Sequence, residues 1–250
     1  MTDNLPLAGR IAVVTGASRG IGYQSALALA RAGAHVVAAA RTQGGLEELD
    51  DEIRAATGES ATLTPFDLVD GGAIDRLGGA LFERFGRIDI FVHAGAKLGA
   101  LTPMSHMEPR EWAKIMAINM TAAYRLIRSF EPLLRASDAG RAIFFTSNVV
   151  DNPRAFWGAY AASKAGLEAM VQCWADELEN TSIRAALVNP GRVRTRMRAE
   201  AYPGEDASVL TDPAEIAPLV VELANPELTP PKGVVDFSAW KSGPSVSALV

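Results

Sequence analysis

The chain has 250 residues, 48% of them hydrophobic and 21% charged, with a net charge of −5 at neutral pH. This length suits a single α/β domain over residues 1–250, and the acidic balance lacks the clustered basic face of a nucleic-acid binder. A lone cysteine, Cys173, excludes an internal disulfide and any multi-cysteine metal site and predicts a buried thiol in a reducing cytoplasm.

No run approaches the roughly 18–20 apolar residues of a membrane span. Residues 1–6 show neither the basic nor the apolar region of a secretory leader, so a cytoplasmic protein is expected. From there, apolar β-branched runs alternate with amphipathic stretches. Residues 10–15 predict a strand and 20–32 a helix, 35–40 a strand and 46–57 a helix. Residues 61–66 predict a strand, 71–85 a helix and 88–93 a strand. After a loop holding Pro103 and Pro109, residues 111–135 read as one long helix. A strand at 142–146, a helix at 158–179, a strand at 183–188, a helix at 213–224 and a last strand at 233–237 complete the chain. Such alternation implies βαβ units: a doubly wound, Rossmann-like parallel sheet of about seven strands with helices on both faces. The run Ile88-Asp89-Ile90-Phe91-Val92 fits a strand buried on both sides. Residues 192–212, which include Tyr202-Pro203-Gly204, form the least regular interior stretch and are expected to be a lid. Four arginines crowd its start, at Arg192, Arg194, Arg196 and Arg198, either near an anionic ligand or on a solvated face.

Two motifs carry chemistry. Tyr160 and Lys164 stand one helical turn apart, on one face of the predicted helix. A phenol gives up its proton near pH 10, and a neighbouring ammonium favours its anion, so such a pair suits proton transfer to or from a carbonyl oxygen. Upstream, the first strand ends in Thr15-Gly16-Ala17-Ser18-Arg19-Gly20-Ile21-Gly22 and opens a helix. Glycines there permit a tight turn and close approach of a pyrophosphate to the helix N-terminus. The spacing is Gly-x-x-x-Gly-x-Gly. By contrast, His35, His93 and His106 lack metal-ligand spacing, so no metal site is expected. The acids Glu47, Glu48, Asp50 and Asp51 read as a solvated helix face.

Over nearly its whole length the chain resembles the short-chain dehydrogenase/reductase family in its single-domain branch. The resemblance rests on the segment from Thr15 to Gly22, Asp67, Ala94-Gly95, Asn119, the Ser147/Tyr160/Lys164 set and the turn Pro190-Gly191-Arg192-Val193-Arg194-Thr195. It implies an enzyme that interconverts a carbonyl and a secondary alcohol by hydride transfer. Tyr160 would be the general acid/base, Lys164 would lower its pKa and hold the nicotinamide ribose, and Ser147 would polarise the substrate oxygen. Thr146 is a weaker candidate for that last role. Asn119 would hold a water in a proton relay. The cofactor would lie on Gly16, Ser18, Arg19, Gly20, Ile21 and Gly22. Asp67 and Leu68 would contact the adenine, Ala94 and Gly95 would line the middle of the site, and Pro190, Gly191, Val193 and Thr195 would meet the nicotinamide. His93 replaces a family asparagine and is expected near the adenine ribose. The sequence Asp236-Phe237-Ser238-Ala239-Trp240 replaces a family Asp-Gly-Gly.

Dinucleotide folds that take NAD place an acid after the second strand. This strand ends Ala38-Ala39-Ala40-Arg41. Arg41, with Arg19, predicts NADP(H) in preference to NAD(H), since guanidinium forks suit a phosphate. The partner would be a small carbonyl/alcohol substrate in a pocket built from Lys97, Leu98, residues 148–157 and residues 197–202. Phe156 and Trp157 would form an apolar wall there, and Arg154 or Lys97 would meet a carboxylate. The resemblance also implies a homotetramer or homodimer through the 111–135 and 158–179 helices, with Trp112 and Trp174 as interface residues. A non-catalytic NADP-binding sensor or scaffold, and a lyase, dehydratase or epimerase, remain as other uses of the fold. The intact Ser147, Tyr160, Lys164 and Asn119 argue against the first of these.

Overall fold

The computed structural model describes residues 5–243, so the first four residues of the stretch read for a leader lie outside the described residues. In chain order the elements are β1 (Ile11–Thr15), α1 (Gly20–Arg31), β2 (His35–Ala40), α2 (Gln43–Thr57), β3 (Thr62–Pro65), α3 (Gly71–Phe85) and β4 (Ile90–His93). They continue with α4 (Pro109–Met116), α5 (Ala122–Arg135), β5 (Arg141–Phe145), α6 (Gly158–Glu177), β6 (Arg184–Asn189), α7 (Arg196–Ala201), α8 (Pro213–Leu223), β7 (Val234–Asp236) and α9 (Phe237–Ser242). All pairings are parallel and the sheet order is β3-β2-β1-β4-β5-β6-β7. The chain winds outward from β1 to β3, then returns to place β4 beside β1. The crevice at this reversal, beyond the carboxyl ends of the strands, is where such sheets take ligands.

Strand periodicity builds the two cores. Ala12, Val14, Ile90, Val92, Ile143, Phe145, Ala186 and Val188 point to the face packed by α1, α2 and α8. Val13, Phe91, Ala142, Phe144 and Leu187 point to the other, against α3, α5 and α6. Successive residues therefore serve opposite layers, which is why the strands read as unbroken apolar runs. The amino-terminal rim of the sheet is tied by a buried carboxylate. Asp89 accepts from Ile11 N at 2.8 Å, Ser137 Oγ at 2.6 Å, Arg10 Nη1 at 3.2 Å and Arg87 Nε at 3.2 Å.

Four expectations need correction. The long helix at 111–135 starts earlier, with Pro109 at the first helical position, where its missing N–H costs nothing. It is also interrupted, because a π turn at Ala117–Thr121 separates α4 from α5. Cys173 is exposed, since α6 turns that side outward. Asp50 is buried and is not a surface acid: it accepts from Ala61 N at 2.7 Å and Arg54 Nη2 at 2.5 Å, fastening α2 to the start of β3. Finally, Trp174 lies in the core and donates to Glu131 at 2.9 Å, so it is not free to meet a partner. The unusual carboxyl segment folds as α9, capped by Asp236, which accepts from Ser238 N and Ala239 N. No helix among the described residues is long and apolar enough to cross a membrane.

Candidate active site

A cavity of about 1130 Å³ opens above the carboxyl ends of β1, β4 and β5. Gly16, Ser18, Arg19, Gly20, Ile21, Gly22, Arg41, Asp67, Leu68, Ala94, Gly95, Ser147, Tyr160, Lys164, Pro190, Gly191, Val193 and Thr195 all line it. The β1–α1 turn is shaped by two glycines that admit no side chain. A Cβ on Gly16 would meet the backbone of Gly95 at 2.7 Å and Ala94 at 2.8 Å, and one on Gly22 would meet Gly16 O at 2.4 Å. Gly16 and Gly20 also hold φ of 73° and 59°, in the left-handed region. The N-cap of α1, Arg19, makes no side-chain cap bond. The first amides of α1 are thus left for an anion, which the helix dipole favours. This turn fits a dinucleotide pyrophosphate.

At the far side of the cavity, α6 presents Tyr160 and Lys164. Burial pushes the Tyr160 phenol up to about 12, against the lowering influence of the Ser147 hydroxyl. Burial also pulls the Lys164 ammonium down to about 8. Lys164 Nζ donates to Phe145 O at 2.8 Å and lies 6.0 Å from the centre of the Tyr160 ring. The expected lowering of Tyr160 by Lys164 is therefore not the dominant effect in this arrangement; removal from water is. Thr146 is committed elsewhere, donating to Glu168 at 2.7 Å.

Asn119 alone of the expected catalytic residues does not line the cavity. It is buried in the π turn, where its Oδ1 accepts from Lys97 N at 2.8 Å. Its Nδ2 donates to Lys97 O at 2.9 Å and to Ser163 Oγ at 2.9 Å. Ser163 Oγ in turn donates to Tyr160 O at 2.8 Å. The side chain thus clamps the loop after β4 to the turn of α6 that carries Tyr160. His93 is also away from the cavity: its ring packs against Phe91 and Phe144, with Nδ1 at 2.8 Å from Thr15 Oγ1. Burial and the Lys164 charge hold it neutral, lowered to about 3. The expected place near a ribose is overturned because position 93 faces the α5–α6 layer.

The 192–212 stretch is more ordered than expected, containing α7 and a short 3-10 turn. Its four arginines share three carboxylates. Arg192 and Arg198 bracket Glu205 at 2.7 and 2.5 Å, Arg196 meets Glu200 at 2.9 Å, and Arg194 pairs with Asp212. Arg198, with Arg192, holds Glu205 down to about 2. Trp157 lines the cavity, whereas the exposed Phe156 does not; its φ of 74° turns the chain just before α6.

A family model for short chain dehydrogenases matches residues 10–206, which hold every element of this cavity named above. The chain belongs to the short-chain dehydrogenase/reductase family. It is 39% identical over 216 residues to the uncharacterized oxidoreductase YciK of Escherichia coli K12, covering 86% of this chain and 85% of that one. A short chain dehydrogenase of Shigella flexneri 2a, solved in complex with NADP, is 37% identical with a TM-score of 0.88, covering 94% of this chain and 99% of that one. One from Escherichia coli CFT073, solved with NADPH, is 37% identical with a TM-score of 0.87, covering 93% and 98%. As a short-chain dehydrogenase/reductase the chain is an enzyme. Its sequence concealed three site features: Ser163 as the link between Asn119 and Tyr160, Glu111 as the partner of Lys97 at 2.9 Å, and Glu205 as the anchor of Arg192 and Arg198. Only the last had a visible signal, the run of four arginines, which the sequence left between an anionic ligand and a solvated face.

Proposed function

We propose that this enzyme reduces a carbonyl to a secondary alcohol, or runs the reverse reaction, with NADP(H) in preference to NAD(H). The observation that carries the reading is a phenol and an ammonium, both buried, on one wall of a cavity whose other wall is the glycine turn of β1–α1. When bound, NADP(H) supplies or accepts the hydride. Gly16 to Gly22 and the α1 amides hold its pyrophosphate, Lys164 the ribose, Pro190 to Thr195 the nicotinamide side, and Asp67 and Leu68 the adenine. Arg19 and Arg41 meet the 2′-phosphate; Arg41 stands 3.7 Å from Asp67, and both are well exposed. The NADP and NADPH complexes of the Shigella and Escherichia relatives support this preference.

Tyr160 gives its proton to the substrate oxygen as the carbonyl carbon is reduced, and Ser147 hydrogen-bonds the same oxygen. A phenol raised by burial is fully protonated at neutral pH, which suits donation. In the oxidative direction Lys164 favours the phenolate once its ammonium leaves the Phe145 carbonyl. Asn119 is a positioning residue that fixes Lys97 and, through Ser163, Tyr160. The same proposal includes one domain carrying both sites, a cytoplasmic setting, and self-association through exposed faces of α5 and α6, where Tyr124 is exposed. Tyr160→Phe tests the chemistry. The variant should lose turnover of a responsive ketone by about 10²–10⁴-fold while binding NADPH as before. Retention of most of the turnover would overturn the role.

A further inference from the structure

The substrate half of the cavity has an uneven charge pattern. Lys97, which the sequence offered for a carboxylate, is neutralised by Glu111 at 2.9 Å. Arg192 and Arg198 both pair with Glu205, which they share. Arg154 differs. It lines the same cavity, its Nη1 donates to the neutral Tyr202 hydroxyl at 3.0 Å, and it forms no ion pair among the described residues. Lys114 on α4 also lines the cavity without an ion pair among them, but no hydrogen bond orients it.

Arg154 is held where it stands. The Tyr202 ring lies under the Arg198 guanidinium, 3.8 Å from its carbon, and tilts against Trp157 with centroids 5.7 Å apart. Trp157 in turn meets Tyr160 edge-on at 5.9 Å. An aromatic rail therefore runs from the proposed proton donor to an uncompensated guanidinium. Leu98, Val149 and Met197 pack beside it. An oriented, unpaired guanidinium recognises a planar carboxylate through a two-point fork, and the Tyr202 hydroxyl adds a third polar contact.

We infer that the substrate is a keto acid, or the matching hydroxy acid, whose carboxylate meets Arg154 while an apolar or aromatic body along Trp157 separates it from the carbonyl at Tyr160. Simple 2-oxo acids do not fit, because one indole lies between the two polar ends. The inference rests on the oxidoreductase reading and names the substrate class of that site.

The test compares 4-acetylbenzoate with its uncharged methyl ester and with phenylglyoxylate, following NADPH consumption by the wild type, Arg154→Ala, Arg154→Lys and Tyr202→Phe. The wild type should prefer 4-acetylbenzoate to the ester by about tenfold in kcat/KM and to phenylglyoxylate by more. That ratio should collapse in Arg154→Ala, mainly through KM, return in part with Arg154→Lys, and fall partway in Tyr202→Phe, which removes the hydroxyl that orients the guanidinium. Raising salt should shrink it, since the guanidinium is at the cavity rim. Preference for the ester, or a ratio unchanged in Arg154→Ala, overturns the inference. A second arm needs no turnover: calorimetry of 4-acetylbenzoate binding to NADP-loaded protein. Binding that Arg154→Ala abolishes supports the inference even if no ketone is reduced, a result that would count against the oxidoreductase reading alone. Equal binding by both proteins, or none by either, overturns it.

Discussion

Replacing Lys164 with Met should make the cofactor-free protein more stable at neutral pH, although it removes a residue of the proposed site. Burial pulls the ammonium from its ordinary 10.5 to about 8. A drop of that size corresponds to about 3 kcal/mol of penalty for keeping the charge inside, at about 1.4 kcal/mol per pKa unit. Because the folded value lies below the unfolded one, the unfolded chain binds more protons between about pH 8 and 10.5. The penalty is therefore present in full below pH 8 and is relieved as pH rises through that window. Methionine keeps most of the stem but leaves the Phe145 carbonyl without its donor, a loss of about 1–2 kcal/mol. The variant should thus gain about 1–2 kcal/mol at pH 7, or roughly 2–4 °C in Tm for each kcal/mol. By pH 10.5 the difference should vanish or reverse. Thermal melts of both proteins followed by circular dichroism at pH 7, 9 and 10.5 give the measurement, and the difference between them cancels the other titrating groups. A variant less stable than wild type at pH 7, by an amount that does not change with pH, would refute the reasoning.

Two further outcomes are expected. NADPH should bind at least tenfold more tightly than NADH, a difference of about 1.4 kcal/mol. Arg19→Ala and Arg41→Ala should erode that gap without weakening NADH, and fluorescence titration at low and high salt would show it shrinking as the exposed guanidinium groups are screened. Asn119→Ala should cost about 2–4 kcal/mol, because three hydrogen bonds, one of them fully buried, disappear and the backbone N–H and C=O of Lys97 lose their partner; the fall in Tm measures it.

What the sequence disclosed followed from how local each cause is. Strands were legible because parallel strands buried on both faces must be apolar at nearly every position, and the glycine turn because only glycine tolerates the 2.4–2.8 Å approaches at Gly16 and Gly22. The residues expected on the glycine turn, on the nicotinamide turn and in the Ser147/Tyr160/Lys164 set all line one cavity, since motif spacing fixes where each strand delivers its last residues, whereas Asn119, His93 and Phe156 do not. The misses have longer-range causes. Nothing in the Ala117–Thr121 composition marks a π turn, which here coincides with the Asn119 bonds to Lys97 and Ser163. Lys164 shares a helix face with Tyr160, but the carbonyl that accepts its hydrogen bond belongs to Phe145, nineteen residues away. Cys173 and Trp174 are adjacent on α6 yet one is exposed and the other buried, a distinction set by the phase of the helix against the sheet. His93 carried no local sign of which layer it would enter.

The Asp89 knot gives the molecule two rims of different character. Its carboxylate gathers β1, the approach to β4 and the turn before β5 at one end of the strands, while the cavity occupies the other. Segments proposed to meet substrate, around Leu98, Arg154 and Tyr202, line the cavity at the rim that the knot does not reach. Such a plan lets mutation rewrite those segments one at a time, in nature or by design, while the strands stay in register. The keel is kept, and the deck can be rebuilt for another cargo.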